Sequence, residues 1–497
     1  MSDPNPPLAG DEAWLLTSAA LVFLMLPALA LFYGGMVARS TVLHMMSLAL
    51  SAAAAGSVFW SLVGYSLAFG PDGAGATGPW PPWGGFAYGF FDSGDRLRAG
   101  TDVSEHAYFI FQCAFNAITL AVMSGAVAGR MAVLPFVLFC CAWTVLVYAP
   151  LAHWVFVPSG WLADWGVLDF AGGLVVETAS GVSAFVLAAW LGPGARGGAP
   201  AGVHSVPLVV LGAGLLYVGW FGFNAGSALS AGYAAGRAMA NTHLAACAAL
   251  LSWVTCEVVA PLDAPPAWHA TAEEAEEAAA AAAARPREST WLTGQATPLG
   301  AAIGTVVGLV AVTPACGYIG QMSAVLLGLV AAPASYAATA ALRRVRVDDR
   351  LECLPCHGVA GMVGVLYLGF FASTADGAPA AGLFYGGGPG LLGKQAAALA
   401  VTLALSAAGT SLSFLAVAAL ARLAGVSLRV ADEAAPDMSE HGLDAYGLNG
   451  DAAGGVFAPA GGGGDPGDVY IRSDTPPLPD EERRGKPDAR LAPLLPR

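Results

Sequence analysis

Eleven runs of about 20 predominantly apolar residues, almost free of charge, constrain this chain more than any other feature. They lie near residues 13–36, 42–70, 107–127, 132–155, 170–191, 206–229, 239–259, 298–313, 319–342, 358–375 and 391–424. Such runs are long enough to cross a bilayer as helices, which satisfy every backbone polar group internally. Charged residues make up only 11% of the chain, against about 25% in a soluble protein. A solvated globular enzyme is excluded. Disorder is excluded for most of the chain as well, because it requires low hydrophobicity.

The net charge of -14 belongs to solvated segments and not to a partner surface. Residues 428–497 hold 13 acids against 7 bases, and a further acidic block is Glu273, Glu274, Glu276 and Glu277. No basic face for nucleic acid exists. With the N-terminus outside, eleven loop arginines (39, 130, 196, 285, 287, 343, 344, 346, 350, 422 and 429) fall inside and four bases (Arg96, Arg98, Arg237 and Lys394) outside. This asymmetry predicts N-out and C-in, consistent with an odd number of spans. The expected organisation is an external N-terminus over 1–12 and an eleven-span domain over 13–427. An external loop over 71–105 and a cytosolic insertion over 262–294 interrupt that domain. A patterned cytosolic segment follows at 428–446, then a Gly- and Pro-rich disordered tail at 447–497.

Ionisable groups inside spans are costly and therefore point to function. Glu177 lies deep in the fifth run, eight residues or about 12 Å after Asp169, which opens the helix as a capping candidate. His357 opens the tenth run, after Asp348 and Asp349. Small residues follow each group, in Glu177-Thr-Ala-Ser-Gly181 and His357-Gly-Val-Ala-Gly361. The two runs hold the fifth place of each five-span half. This correspondence predicts two inverted five-helix repeats, plus one C-terminal helix, with one polar group from each half near the midplane. The plain alternatives are a core histidine bonded to a carbonyl and a neutral glutamic acid that only shapes the interior. Glu257 reads as an interfacial snorkelling residue, and His44 and His243, near span ends, read as structural.

Cys353-Leu-Pro-Cys356-His357 fits the spacing of a haem attachment site, but it sits at the inner end of a span, away from external maturation. No second Cys/His pair at zinc spacing accompanies it. No cofactor, metal or catalytic nucleophile is expected, so the chain reads as a transporter and not an enzyme.

Several longer motifs then carry a resemblance. They are Pro27–Gly35 (PALALFYGG), Phe111–Phe115 (FQCAF), Asp169–Gly173 (DFAGG), Trp220–Ser227 (WFGFNAGS), Thr313–Gly320 (TPACGYIG) and Asp437–Tyr446 (DMSEHGLDAY). In this order over residues 13–446 the chain resembles the superfamily of ammonium transporters, methylammonium permeases and Rhesus proteins, closest to its bacterial and fungal branch. The resemblance implies a multi-pass plasma-membrane homotrimer with one pore per subunit, taking ammonium and methylammonium. By position it implies a phenylalanine gate of Phe115 and Phe223. An outer recruitment region would comprise Ser227, Gln112 and Phe156, with Asp169 supporting it from behind.

Two departures from the family pattern stand out. The usual recruitment tryptophan would fall at Phe156 or Val157, where the loop has gained about one residue, and Phe keeps a weaker cation-binding face. Glu177 occupies the position of the first of two pore imidazoles and leaves His357 as the second, as in some fungal members. Burial disfavours each charge alone while their attraction favours both together, so the pair is expected to titrate as a unit. A proton moving through it would make transport electrogenic. The competing reading is an ammonium sensor that signals through its tail to a cytosolic regulatory protein.

Overall fold

The computed structural model describes residues 7–71, 83–91, 95–194, 203–262, 294–345 and 347–446. The proposed insertion, apart from Leu262 and Gly294, and the tail beyond Tyr446 lie outside the described residues.

Apolar runs that cannot leave backbone groups unpaired in lipid fold as helices, and among the described residues no strand forms. Ten helices are long and apolar enough to cross a membrane. In chain order they are α1 (Ala9–Met36), α2 (Arg39–Phe69), α3 (Glu105–Ala126), α4 (Val133–Asp164), α5 (Gly173–Leu191), α6 (Val206–Gly226), α7 (Tyr233–Val259), α9 (Gln321–Leu342), α10 (Leu354–Phe371) and α11 (Gly390–Ala424). Between α7 and α9 stands a shorter apolar helix, α8 (Pro298–Val312), of 15 residues. The chain is an all-α, polytopic membrane protein.

Several boundaries move from those expected. The helix α1 begins at Ala9, so residues 9–12 are helical. Glu12 turns its carboxylate to Ser104, accepting from the backbone N–H at 2.8 Å and the hydroxyl at 2.5 Å. Glu257 does not snorkel: its oxygens accept from Thr297 N–H (3.0 Å) and Oγ1 (2.9 Å), fixing the entry to α8. The helix α7 starts at Tyr233, six residues before its apolar run, so His243 stands ten residues into it.

Helices α1 and α6 lie against each other along their length, and α7 packs on α8 and α9. The ends of α5 and α10 nearest Asp169 and Asp349 form π-helical turns, at Gly173–Thr178 and Leu354–Val359. Such turns are rare and cluster at functional sites. The two helices touch where side chains vanish. A Cβ on Gly181 would sit 2.1 Å from the Gly358 nitrogen, and one on Gly361 would sit 2.9 Å from the Glu177 Cβ. The small residues that follow Glu177 and His357 are thus what lets the two helices cross in contact.

A short helix, α12 (Pro436–His441), docks the tail segment on the bundle. The Asp437 carboxylate accepts from the backbone N–H of Leu43 (3.1 Å) and His44 (2.8 Å), two of the orphan donors at the start of the α2 segment. Tyr446 hydrogen-bonds His204 at 2.5 Å, and the Arg39 guanidinium lies 5.3 Å from its ring centre. Asp437→Ala removes that cap. About 1 kcal/mol of docking should be lost, seen as faster proteolytic cleavage near Tyr446 with the helical bundle left intact. An unchanged cleavage rate would show that Asp437 does not hold the tail.

Candidate functional site

Two carboxylates prepare the ends of the site-bearing helices. Asp169 Oδ1 accepts from the backbone N–H of Gly172 (2.9 Å) and Gly173 (2.7 Å), and Oδ2 from Leu174 (2.8 Å). Gly172 has φ 109°, a left-handed conformation that favours glycine and turns the chain into the π-helical segment. Asp349 does the same at α10: Oδ1 accepts from Cys353 N–H (3.0 Å) and Oδ2 from Leu354 N–H (2.8 Å). Burial pushes both carboxyls up to about 6 against the pull of those donors. Near neutral pH both therefore remain mostly ionised and neutralise the positive helix ends. Each acid stands eight residues before a polar group of the pair, so one local device is used twice.

The device brings Glu177 and His357 together. Glu177 Oε2 lies 2.9 Å from His357 Nδ1, with both residues 2% exposed. The other ring nitrogen, Nε2, faces the Tyr33 hydroxyl at 3.5 Å. Tyr33 lies in turn 3.3 Å from the Val122 carbonyl oxygen and 3.7 Å from Cys353 Sγ. Proton placement along this row is linked. If the Tyr33 O–H donates to Nε2, then Nδ1–H donates to an ionised Glu177. If the Tyr33 O–H donates to Val122, a neutral imidazole can donate Nε2–H to Tyr33 and accept at Nδ1 from a protonated Glu177. Sequence reasoning gave Tyr33 no role, although it lies in the quoted PALALFYGG motif; nothing local signals that α1 passes beside α10.

Phe115 and Phe223 stack at 4.0 Å between ring centres and 6° between planes, both buried. Phe111 packs on Phe115 at 4.7 Å. Trp220 flanks Phe223 at 5.6 Å, and its indole N–H donates to Thr313 Oγ1 at 3.0 Å.

The remaining residues expected at the outer region are spread around the helices that carry Phe115 and Phe223. Ser227 follows α6 and donates its hydroxyl to the Phe223 carbonyl at 2.9 Å, leaving its oxygen lone pairs free to accept. Gln112 is buried on α3, one turn before Phe115, and its side-chain carbonyl has no hydrogen-bond partner. Phe156 is half-buried at the end of an α4 turn, and its ring tip lies 3.6 Å from where a Gly172 Cβ would stand. It therefore adjoins the turn that Asp169 organises.

This chain's sequence matches the Ammonium Transporter Family over residues 13–261 and 266–446. It is 38% identical over 421 residues to an ammonium transporter of Mycobacterium tuberculosis, covering 78% of this chain and 80% of that protein. An ammonium transporter of Aquifex aeolicus is 36% identical over 445 residues, covering 88% and 94%. Among solved structures, Candida albicans Mep2 superposes with a TM-score of 0.69 at 27% identity, covering 85% of this chain and 86% of that one. With most of its length matched and its helices arranged as in a solved relative, the chain belongs to the ammonium transporter family.

Proposed function

We propose that this protein takes up ammonium and methylammonium across the plasma membrane, with its N-terminus outside and its C-terminus in the cytosol. Ammonium is recruited between Ser227, Gln112 and the Phe156 face, in the negative field of Asp169. Aromatic faces attract a partly desolvated cation by about 0.5–2 kcal/mol. A full cation cannot follow the apolar path cheaply, so the substrate loses a proton and passes Phe115 and Phe223 as ammonia. Glu177 and His357 relay the released proton, and net transfer is one positive charge.

The observation that carries this reading is the buried Glu177–His357 contact at 2.9 Å, in a bundle that also holds the buried Phe115–Phe223 stack. The pair can hold one proton in alternative places without placing an uncompensated charge in the bundle. The protein acts as a homotrimer with one pore per chain, and the docked segment 428–446 adjusts the pores in response to a cytosolic regulatory protein.

Uptake of labelled methylammonium in a cell lacking its own transporters tests the transport reading. Saturable uptake that ammonium competes away is the expected result. Absence of uptake by surface-exposed protein, together with ammonium-dependent changes in tail proteolysis, would instead establish a sensor.

A further inference from the structure

A column of polar side chains runs through the bundle beside the Glu177–His357 pair. On α11, Gln395, Thr402, Ser406, Thr410 and Ser413 are all buried, and their spacings of seven, four, four and three set them on one face of the helix. That face meets α5. Gln395 Oε1 accepts from the Leu168 N–H at 2.8 Å, just before α5, and Trp143 on α4 donates its indole N–H to both Ser183 on α5 (3.0 Å) and Thr410 on α11 (3.1 Å). The two helices therefore run side by side in the same direction. Between these contacts lie Glu177 and Thr178 on α5, and Thr402 and Ser406 on α11. The third wall is α10, joined to α11 by Gln395 Nε2, which donates to the Val365 carbonyl at 3.2 Å. One turn before Val365, a Cβ on Gly361 would stand 2.9 Å from the Glu177 Cβ and 3.0 Å from Thr178 Oγ1.

Three hydroxyls at this junction, those of Thr178, Thr402 and Ser406, have no hydrogen-bond partner among the described residues, and each residue is 0% exposed. Other hydroxyls on α11 show the ordinary local solution. Ser411 and Ser413 fold back on the carbonyls four residues earlier, Ala407 and Gly409, each at 2.8 Å. Thr402 and Ser406 do not fold back. A buried hydroxyl without a partner is costly, and the usual remedy inside a protein is a water molecule that bonds about three such groups at once.

We propose that Thr178, Thr402 and Ser406 hold ordered water where α5, α10 and α11 meet, and that this water donates a hydrogen bond to ionised Glu177. The inference rests on the proton relay proposed above. His357 engages Oε2 of the carboxyl, so Oε1 is the oxygen that the water serves. A carboxylate sealed among apolar groups keeps its proton, whereas one that accepts a hydrogen bond from water can give it up. Glu177 can then lose and regain a proton in each cycle. The hydroxyls are positioning residues: each can donate and accept, so they hold water in either protonation state of the pair without adding charge to the bundle.

The sign of a stability change tests the site. Replacing an unpartnered buried hydroxyl by an apolar group of the same shape is neutral or stabilising, whereas replacing one that holds water strips that water of a partner. The melting temperature of the purified full-length protein and the ammonium-evoked current in cells are compared for wild type, Thr402→Val/Ser406→Ala and Thr402→Ser. The double variant should melt lower and carry about tenfold less current, a smaller loss than removing the proton-transfer group itself. Thr402→Ser keeps the hydroxyl and should keep most of the current. A high-resolution crystal structure should show water within hydrogen-bond reach of the Thr402 and Ser406 hydroxyls, and Thr178→Val serves if the double variant does not reach the membrane. A higher melting temperature or undiminished current in the double variant would overturn the proposal, as would a current lost equally in Thr402→Ser. Wild type that takes up methylammonium without current would refute the relay instead; the water site would then stand or fall on the melting temperatures and the crystal structure.

Discussion

Replacing Glu177 by leucine should reduce the ammonium-evoked current about a hundredfold, the scale on which a positioned proton-transfer group acts. The leucine removes the carboxylate that faces His357 Nδ1 from the first turns of α5, leaving an imidazole facing apolar carbon on that side. Glu177→Gln is the sharper companion. Its amide oxygen can accept from Nδ1–H and preserve the shape of the site, yet it cannot take or give a proton at neutral pH. Current should fall in the glutamine variant almost as far as in the leucine variant. If Glu177 only shapes the interior, the glutamine variant will keep its current; unchanged current in Glu177→Leu would remove the pair from the mechanism altogether.

The second large effect lies at Asp169. Asp169→Ala strips three acceptors from the buried N–H groups of Gly172, Gly173 and Leu174. Hydrogen bonds to a charged group are each worth about 1.5–3 kcal/mol, and orphaned buried donors add their own penalty. The turn that leads into Glu177 should lose its shape. Methylammonium uptake is expected to fall at least about tenfold, a loss of about 1.4 kcal/mol or more in the productive arrangement, and the melting temperature of the purified protein should drop. Asp169→Asn should recover part of both, because its Oδ1 can still accept from Gly172 and Gly173 while its amide N–H groups oppose Leu174. Uptake within twofold of wild type in the alanine variant would mean that the turn holds without its cap.

Much of this arrangement is legible in the residues because one physical rule repeats. Asp169 before Glu177, and Asp349 before His357, each at a spacing of eight with small residues beyond, mark capped helices that cross closely. Apolar length locates the crossings for the same reason that a membrane imposes them. Other features leave no local trace. The π-helical turns at Gly173–Thr178 and Leu354–Val359 have no composition of their own, and they arise where two helices must fit together. The stacking of Phe115 on Phe223 joins residues 108 positions apart, so only the family resemblance anticipated it.

The helix α7 begins six residues before Met239, at Tyr-Ala-Ala-Gly-Arg-Ala, a stretch outside the apolar run. That Arg237 dilutes the apolar signal, although its guanidinium is occupied by the Gly317 carbonyl at 3.2 Å and the segment is helical. Glu257 misled for the converse reason. A carboxylate near a helix end looks like a snorkelling group until the partner that it caps, Thr297, returns from across the insertion.

The most direct test of the account is the charge carried per substrate, measured as current and labelled methylammonium uptake in the same voltage-clamped cell. One positive charge per methylammonium in wild type, with current and uptake rising together as substrate is added, is the predicted result. Robust uptake with no accompanying current would contradict it and would mean that the substrate crosses as the neutral amine, with its proton left outside.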